Sequence, residues 1–168
     1  MGEKRGLVMN GGIHRILLAT DFSPPAQHAQ DYACSLAEQL SVELHALHVV
    51  SDPSPIPGPE GSWILPSDAV PQLVHNAELE LAVRMEAALP RSLTIVRAVI
   101  VGQPVRDIID YAKTHAIDLI VIGTHGYTGL SRLLLGSVAE KIVRLATCPV
   151  LTVHPKDHLF RMDEAPAT

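Results

Sequence analysis

Three glycines and a serine in the second half of the chain are spaced in a pattern that suits anion binding. The pattern is G-x2-G-x9-G-S and consists of Gly123, Gly126, Gly136 and Ser137. Gly123 and Gly126 permit a tight turn with a positive φ, and Gly136 lacks the Cβ that would hold a phosphate away from the following N–H groups. If a helix begins here, its first N–H groups and its dipole also favour an anion. The pattern therefore predicts a phosphate site that needs no lysine.

The same residues also allow a purely structural interpretation. Ser137 to Glu140 fits the capping box S-x-x-E, which needs no ligand, and any single glycine can serve a turn. The fingerprints G-x-G-x-x-G and G-x4-G-K-[ST] are absent from the sequence, which disfavours a Rossmann dehydrogenase or a Walker-type ATPase. No general base, nucleophile or carboxylate pair for Mg²⁺ is predicted, so we expect no catalytic or metal-binding residues and at most weak hydrolysis.

Alternating strand and helix segments surround the glycine pattern. Continuous apolar runs predict five strands, and apolar residues at helical spacing predict helices between them. The predicted strands are Arg15–Thr20, Val42–Val50, Leu93–Val101, Asp118–Gly123 and Pro149–Val153. The first helix is expected to begin at Ser23 and Pro24, and the last to cover Ser137–Thr147. This order predicts an α/β fold with a parallel sheet covered on both faces, in which ligands bind beyond the carboxyl ends of the strands.

Two other features of the sequence bear on the site. The proline-rich stretch Ser51–Pro66 is predicted to be a loop, and Trp63 within it either packs over the pocket or anchors the loop. His45 and His48 are an odd number of residues apart in one strand, so their side chains should lie on opposite faces of the sheet. That arrangement argues against a shared metal site.

Length and composition indicate one globular domain. The chain has 168 residues, of which 47% are hydrophobic, and a net charge of −5. We expect a flexible N-terminal tail at 1–12, a domain at 13–154 and a C-terminal tail at 155–168. The acidic balance argues against nucleic acid or an anionic membrane as a partner. No apolar run is long enough to span a bilayer and no secretory signal is evident, so a cytoplasmic location is expected.

Four further segments, together with the glycine pattern, resemble the universal stress protein family. These segments are Ile16–Ser23 (ILLATDFS), Leu47–Val50 (LHVV), Val101–Pro104 (VGQP) and Cys148–Val153 (CPVLTV). The resemblance covers about residues 13–154. It implies an adenine nucleotide alpha hydrolase-like fold, which is an open five-stranded parallel sheet of strand order 3-2-1-4-5 with helices on both faces. It also implies a homodimer paired through the strand Pro149–Val153.

The glycine pattern is similar to that of the nucleotide-binding branch of this family. That similarity implies binding of ATP, or of ADP or AMP, with any Mg²⁺ carried on the phosphates. Asp21 would reach the ribose or adenine, Val49 would meet the adenine, and the helix opening at Gly136 would hold the outer phosphates. The implied nucleotide-binding residues are Ala19, Thr20, Asp21, Val49, Ile122, Gly123, His125, Gly126, Arg132, Gly136, Ser137 and Val138.

Several alternatives stay open at the level of sequence. Asp21 could equally accept hydrogen bonds within its own turn at the helix entry, and Arg132 could be a solvated surface residue. A second function is a dimeric interaction protein that binds no nucleotide, with the glycine loop serving only the fold. A third is an ATP-consuming enzyme. The first hypothesis remains an adenine nucleotide-binding module for stress response or signalling, with a protein partner that the sequence does not identify.

Overall fold

The chain folds around a five-stranded parallel sheet. The computed structural model describes residues 12–51, 56–57, 63–64, 69–87, 93–124 and 136–154. The strands are β1 Arg15–Ala19, β2 Glu43–Ser51, β3 Ile56–Pro57, β4 Trp63–Ile64, β5 Ile95–Gly102, β6 Leu119–Gly123 and β7 Val150–Val153. The large sheet has the order β5-β2-β1-β6-β7 and every pairing within it is parallel. Numbered along the chain, these five strands have the order 3-2-1-4-5, which confirms the predicted fold.

Helices cover both faces of this sheet. They are α1 Pro24–Leu40, α2 Ala69–Ala87, α3 Pro104–Thr114 and α4 Ser137–Leu145. On one face, buried residues of α1 and α2 such as Ala33 and Met85 pack against the sheet, and on the other, Ile108 of α3 and Ile142 of α4 do so. The central strand β1 contributes Ile16 and Leu18 to the first core and Leu17 to the second. This alternation leaves β1 buried on both faces, as expected for a central parallel strand.

Helix α1 begins where the sequence predicts. Ser23 is the N-cap, and its hydroxyl oxygen accepts a hydrogen bond from the Ala26 N–H at 3.3 Å. Pro24 and Pro25 occupy the first positions, where a missing N–H costs nothing. The helix therefore starts immediately beyond the carboxyl end of β1, the edge of the sheet where a ligand is expected.

The proline-rich stretch contains a small hairpin, so the prediction of a loop over its whole length is wrong. Strands β3 and β4 pair antiparallel, with Ile56 opposite Ile64 and Pro57 opposite Trp63. Proline is excluded from central strands because it lacks an N–H, but a two-stranded hairpin has only edges, where proline is tolerated. The predicted packing of the Trp63 side chain lies outside what the structure describes.

None of the helices in the described ranges is long and apolar enough to cross a membrane. Strand β7 forms one edge of the large sheet, with β6 as its single neighbour there. The predicted tails, at 1–12 and 155–168, lie outside the described residues except for Gly12. The predicted end of the last helix was two residues late, since α4 ends at Leu145.

Candidate functional site

A pocket of about 550 Å³ lies at the carboxyl ends of the central strands. Strand β1 runs between β2 and β6, so the chain order reverses on either side of it, and parallel sheets of this kind bind ligands at such a point. The lining residues predicted from the sequence are Ala19, Thr20, Asp21, Val49, Ile122, Gly123, Gly136, Ser137 and Val138. Those that sequence reasoning missed include Leu47, His48, Val50, Ser51, Leu73, Pro104, Ile108 and Thr124. The fold thus brings residues from distant parts of the sequence to one cavity.

The two halves of the glycine pattern meet at this pocket. The N–H of Gly136 donates to the carbonyl oxygen of Thr124 at 2.6 Å, which joins the start of α4 to the end of β6. Thr124 is fully buried, and its own N–H donates to the carbonyl oxygen of Val153 at 3.0 Å. The predicted site residues His125, Gly126 and Arg132 lie outside the described residues. Hydrogen bonds at Thr124 and Gly136 therefore fix the chain at the pocket just before and just after residues 125–135.

The first turn of α4 does not form the capping box that the sequence allowed. Gly136 is the N-cap, with φ −57° and ψ 147° and no side-chain cap, so Ser137 is already the first helical residue. A residue at that position cannot cap its own helix. The Glu140 side chain instead lies 3.8 Å from Arg144, one turn along α4. The Ser137 hydroxyl is exposed at the pocket, and the capping alternative is wrong.

The first backbone N–H groups of α4 have no hydrogen-bond partner among the residues that the structure describes. Within the described part of the chain, the N–H groups of Ser137, Val138 and Ala139 form no hydrogen bond, as expected for a helix that begins without a cap. The other helix starts at this edge differ. Helix α1 begins with two prolines and a capped Ala26 N–H, and the first turn of α3 carries Asp107, whose carboxylate accepts from the Gln103 N–H at 2.6 Å. Of the N-termini of these three helices, that of α4 is the most favourable for binding an anion.

Gly123 is required for close packing rather than for a positive φ, which its backbone does not adopt. A Cβ at this position would lie 3.1 Å from the carbonyl oxygen of Pro25 and 3.3 Å from the Cα of Ala26. Both are backbone atoms of the first turn of α1, so they cannot move aside cheaply. The predicted positive φ at Gly123 is therefore wrong, and the glycine lets α1 approach the end of β6.

Asp21 takes part in the turn that leads into α1 and also lines the pocket. One carboxylate oxygen, Oδ1, accepts from the N–H of Ser23 at 3.0 Å and from its hydroxyl at 2.5 Å. The next residue, Phe22, has φ 63°, an uncommon conformation for an aromatic residue. The N–H of Phe22 donates to the Thr20 hydroxyl oxygen at 3.1 Å. The turn alternative for Asp21 is thus confirmed, and Oδ2 makes no hydrogen bond among the described residues.

His48 is the main polar lining residue that sequence reasoning missed. Its Nδ1 donates to the carbonyl oxygen of Thr20 at 2.9 Å, and its ring stacks on Phe22 with centroids 4.3 Å apart. The guanidinium carbon of Arg84, on α2, lies 5.4 Å from the centroid of the Phe22 ring. The one signal in the sequence was the position of His48 beside Val49, near the end of a predicted strand. The alternation of side chains along a strand does not show which residues of the turn after β1 His48 contacts.

His45 lies on the opposite face of the sheet, as predicted. One ring nitrogen, Nδ1, lies 2.9 Å from the Tyr111 hydroxyl, and Nε2 lies 2.6 Å from the Glu43 carboxylate. Its side chain is buried against Tyr111 of α3, on the other side of the sheet from the His48 ring. Among the described residues, no group of three or more His, Cys, Asp or Glu side chains is arranged to hold a metal ion.

Acidification is expected to destabilise the fold through His48. Burial lowers the pKa of His48 below its ordinary value, and this outweighs the opposing effects of the Thr20 carbonyl and Asp21. The unfolded chain therefore takes up this proton first as the pH falls through about 6.5, and the free energy of unfolding decreases there. Above that pH the ring is neutral in both states and contributes no pH dependence.

Denaturant unfolding of the wild type and of His48→Phe between pH 5 and 8 measures this effect. The variant keeps a ring to stack on Phe22 but cannot titrate, so its stability should fall less steeply below about pH 6.5. Parallel pH profiles for the two proteins would show that His48 titrates alike in the folded and unfolded chain.

The fold and the pocket define a class of protein, the doubly wound α/β domain with a ligand cavity at its topological switch point. More particularly, the chain belongs to the universal stress protein family, whose model matches residues 12–154.

Individual relatives agree with this assignment. A universal stress protein of Methanocaldococcus jannaschii is 38% identical over 141 residues, which cover 83% of this chain and 81% of that protein. A solved structure of another M. jannaschii protein superposes with a TM-score of 0.71 at 25% identity, covering 86% of this chain and 98% of that one. A universal stress protein solved in complex with cAMP has the same fold, with a TM-score of 0.62 and 24% identity over 86% of this chain and 98% of that one.

Proposed function

We propose that this pocket binds an adenine nucleotide and that the protein is a cytoplasmic, nucleotide-binding module of stress response or signalling. The observation that carries the proposal is the uncapped N-terminus of α4, whose Ser137, Val138 and Ala139 N–H groups form no hydrogen bond within the described ranges and belong to residues that line the cavity. Unpaired N–H groups at a helix start bind phosphate through hydrogen bonds and the helix dipole. The described lining residues include no lysine or arginine, so the backbone would supply most of the attraction.

The rest of the cavity suits the other parts of a nucleotide. Apolar side chains at the strand ends, such as Leu47, Val49 and Ile122, offer contact area for a flat base. The Oδ2 atom of Asp21 can accept a hydrogen bond from a ribose hydroxyl without breaking the turn, since Oδ1 alone holds Ser23. The solved relative with cAMP supports an adenine nucleotide in this fold. ATP, ADP and AMP all fit this pattern.

We further propose binding without efficient hydrolysis. Asp21 is the single carboxylate among the described lining residues, and one of its oxygens is already engaged by the turn. Any Mg²⁺ would be carried by the phosphates of ATP, because the described part of the lining offers no second carboxylate to hold it. The role of the nucleotide would then be to change the stability or the contacts of the protein.

Thermal unfolding with added nucleotide separates this function from that of an interaction protein without a ligand. A ligand at 100 times its dissociation constant adds about 2.7 kcal/mol to the free energy of unfolding, which raises the melting temperature by several degrees. We expect this shift with ATP, ADP or AMP. An unchanged melting temperature at millimolar concentrations of all three would favour the interaction protein.

Pairing of two copies through β7 is a separate proposal. The strand is an edge of the sheet and its four residues are half-buried in the single chain. The carbonyl oxygens of Pro149 and Val153 accept hydrogen bonds from the N–H groups of Ile120 in β6 and of Thr124 just after it, so alternation turns the N–H groups of Val150 and Thr152 toward the open edge. Pairing this edge with a second copy would protect it.

Thr152→Pro is expected to convert a dimer into a monomer. It removes an N–H that faces the open edge while leaving the hydrogen bonds to β6 in place. Thr152→Val, which keeps the N–H and the branched side chain, serves as the matched control. Sedimentation velocity over a range of concentrations measures the result. A wild-type protein that stays monomeric at every concentration would contradict pairing through β7.

A further inference from the structure

The turn between β1 and α1 contains a strained residue, Phe22, that the proposed function does not use. Its φ of 63° is a left-handed conformation, which is uncommon for a large aromatic residue. The other non-glycine residues with a positive φ in the described ranges are Ser41 and Ala116. Both lie at or just beyond the C-terminal end of a helix, where this conformation is common. Phe22 instead lies directly before the N-cap of α1, so helix termination does not account for it.

Contacts of the Phe22 side chain hold this conformation. The ring stacks on that of His48, with centroids 4.3 Å apart and planes 18° from parallel, and the guanidinium carbon of Arg84 lies 5.4 Å from the ring centroid. The stacking partner is itself fixed, because Nδ1 of His48 donates to the Thr20 carbonyl oxygen at 2.9 Å. Arg84 in turn pairs with Glu80 at 2.6 Å. A strained residue persists where its surroundings determine its conformation in this way.

The left-handed turn places the side chains of Phe22 and Asp21 on different sides of the sheet. The Phe22 ring packs against the core under α1 and α2. Asp21 lines the pocket, where strand residues such as Leu47 belong to the core under α3 and α4. The same turn brings Oδ1 of Asp21 to the N–H and the hydroxyl of Ser23, at 3.0 and 2.5 Å. The conformation of Phe22 therefore determines where the Asp21 carboxylate lies.

We propose that Phe22 is a positioning residue for nucleotide binding, whose stack on His48 holds the turn in the conformation that presents the Asp21 carboxylate to the ribose. This inference rests on the proposed function and deepens it, because it assigns the order of the ribose contact to a stack on the opposite face of the sheet. Without the stack the ligand has to order the turn when it binds, which lowers its affinity.

Titrations with ATP and with its 2′,3′-dideoxy analogue, which lacks both ribose hydroxyls, test the proposal. Phe22→Gly removes the ring but accepts a positive φ without strain. We expect this variant to bind ATP roughly three- to tenfold more weakly, an effect similar to that of one lost hydrogen bond. It should also lose most of the wild-type preference for ATP over the analogue. Phe22→Tyr, which keeps the ring, should retain both the affinity and the preference.

Two further variants show whether Phe22 acts through Asp21. Asp21→Asn keeps an oxygen for Ser23 but replaces the second acceptor with an amide N–H. Adding Phe22→Gly to it should weaken ATP binding by no more than about twofold, because the contact that the stack positions is already lost. Ala116→Gly is the matched control, since it replaces another residue of positive φ, before the amino end of β6, and should leave the affinity for ATP unchanged.

Melting without nucleotide verifies that each variant is folded. If Phe22→Gly is not folded, Phe22→Leu replaces it, because leucine keeps the apolar bulk but has no flat ring to stack. Wild-type affinity and ribose preference in the Phe22 variant, or an equal loss of affinity in the Asp21→Asn background, would overturn this inference alone. A wild type that binds ATP and the dideoxy analogue equally well would overturn it too. A wild type that binds no nucleotide would overturn the proposed function as well.

Discussion

Gly136→Val is expected to abolish the stabilisation of the protein by nucleotide, a loss of about 2.7 kcal/mol at a ligand concentration 100 times the dissociation constant. The branched side chain would stand beside the free N–H groups of Ser137 and Val138 and keep a phosphate from reaching them. The backbone angles of Gly136, φ −57° and ψ 147°, are open to any residue, so the fold itself should survive. Melting curves with and without ATP provide the measurement.

Two companion variants make this result specific. Gly12→Val is the control, because a Cβ built on Gly12 has nothing within 4 Å, and it should leave the nucleotide shift intact. Ser137→Ala removes one hydroxyl but retains the backbone donors, so it should reduce the shift without abolishing it. A full nucleotide shift in a folded Gly136→Val protein would show that the phosphate does not bind at the start of α4.

Gly123→Ala is expected to destabilise the fold by about 1–3 kcal/mol, the usual effect of forcing an extra carbon into a packed site. The new Cβ would lie 3.1 Å from the Pro25 carbonyl oxygen, 3.2 Å from its carbon and 3.3 Å from the Ala26 Cα. These atoms belong to the rigid first turn of α1, so either the helix or β6 must shift. Denaturant unfolding without nucleotide measures the loss.

The control for this variant is Gly12→Ala, whose added methyl meets open space and should change stability by no more than about 0.5 kcal/mol. Two of the three glycines of the pattern would then have different roles. Gly123 would serve the packing of α1 on β6, and Gly136 would serve the proposed ligand. Equal stability of Gly123→Ala and the wild type would contradict the packing role.

The sheet and its helices could be predicted because their signals are local. The apolar runs of β1 and β6 are bounded by clear turns, and the Ser23-Pro24 pair marks the start of α1 within a few residues. The strand order came instead from the family resemblance, since periodicity does not determine which strands are neighbours. The hairpin at 56–64 was missed because the exclusion of proline holds for central strands and not for edges.

The details of the site depend on contacts that sequence spacing does not contain. The role of Gly123 follows from the approach of α1, a helix nearly 100 residues earlier in the chain. The N-cap of α4 is Gly136 and not Ser137, a difference of one residue. A sequence pattern does not locate the start of a helix to a single residue. His48 acquires its orientation from Thr20 and Phe22 on another strand end. Contacts of this kind become visible only when the strand ends are brought together.

Calorimetric titration of the wild-type chain with Mg-ATP measures directly whether the pocket binds a nucleotide. The first N–H groups of α4, which have no hydrogen-bond partner among the described residues, border the same cavity as Asp21, so one nucleotide should bind per chain, with saturable heat. ADP and AMP should compete for the same site. The absence of binding at millimolar nucleotide would contradict a nucleotide site in this pocket.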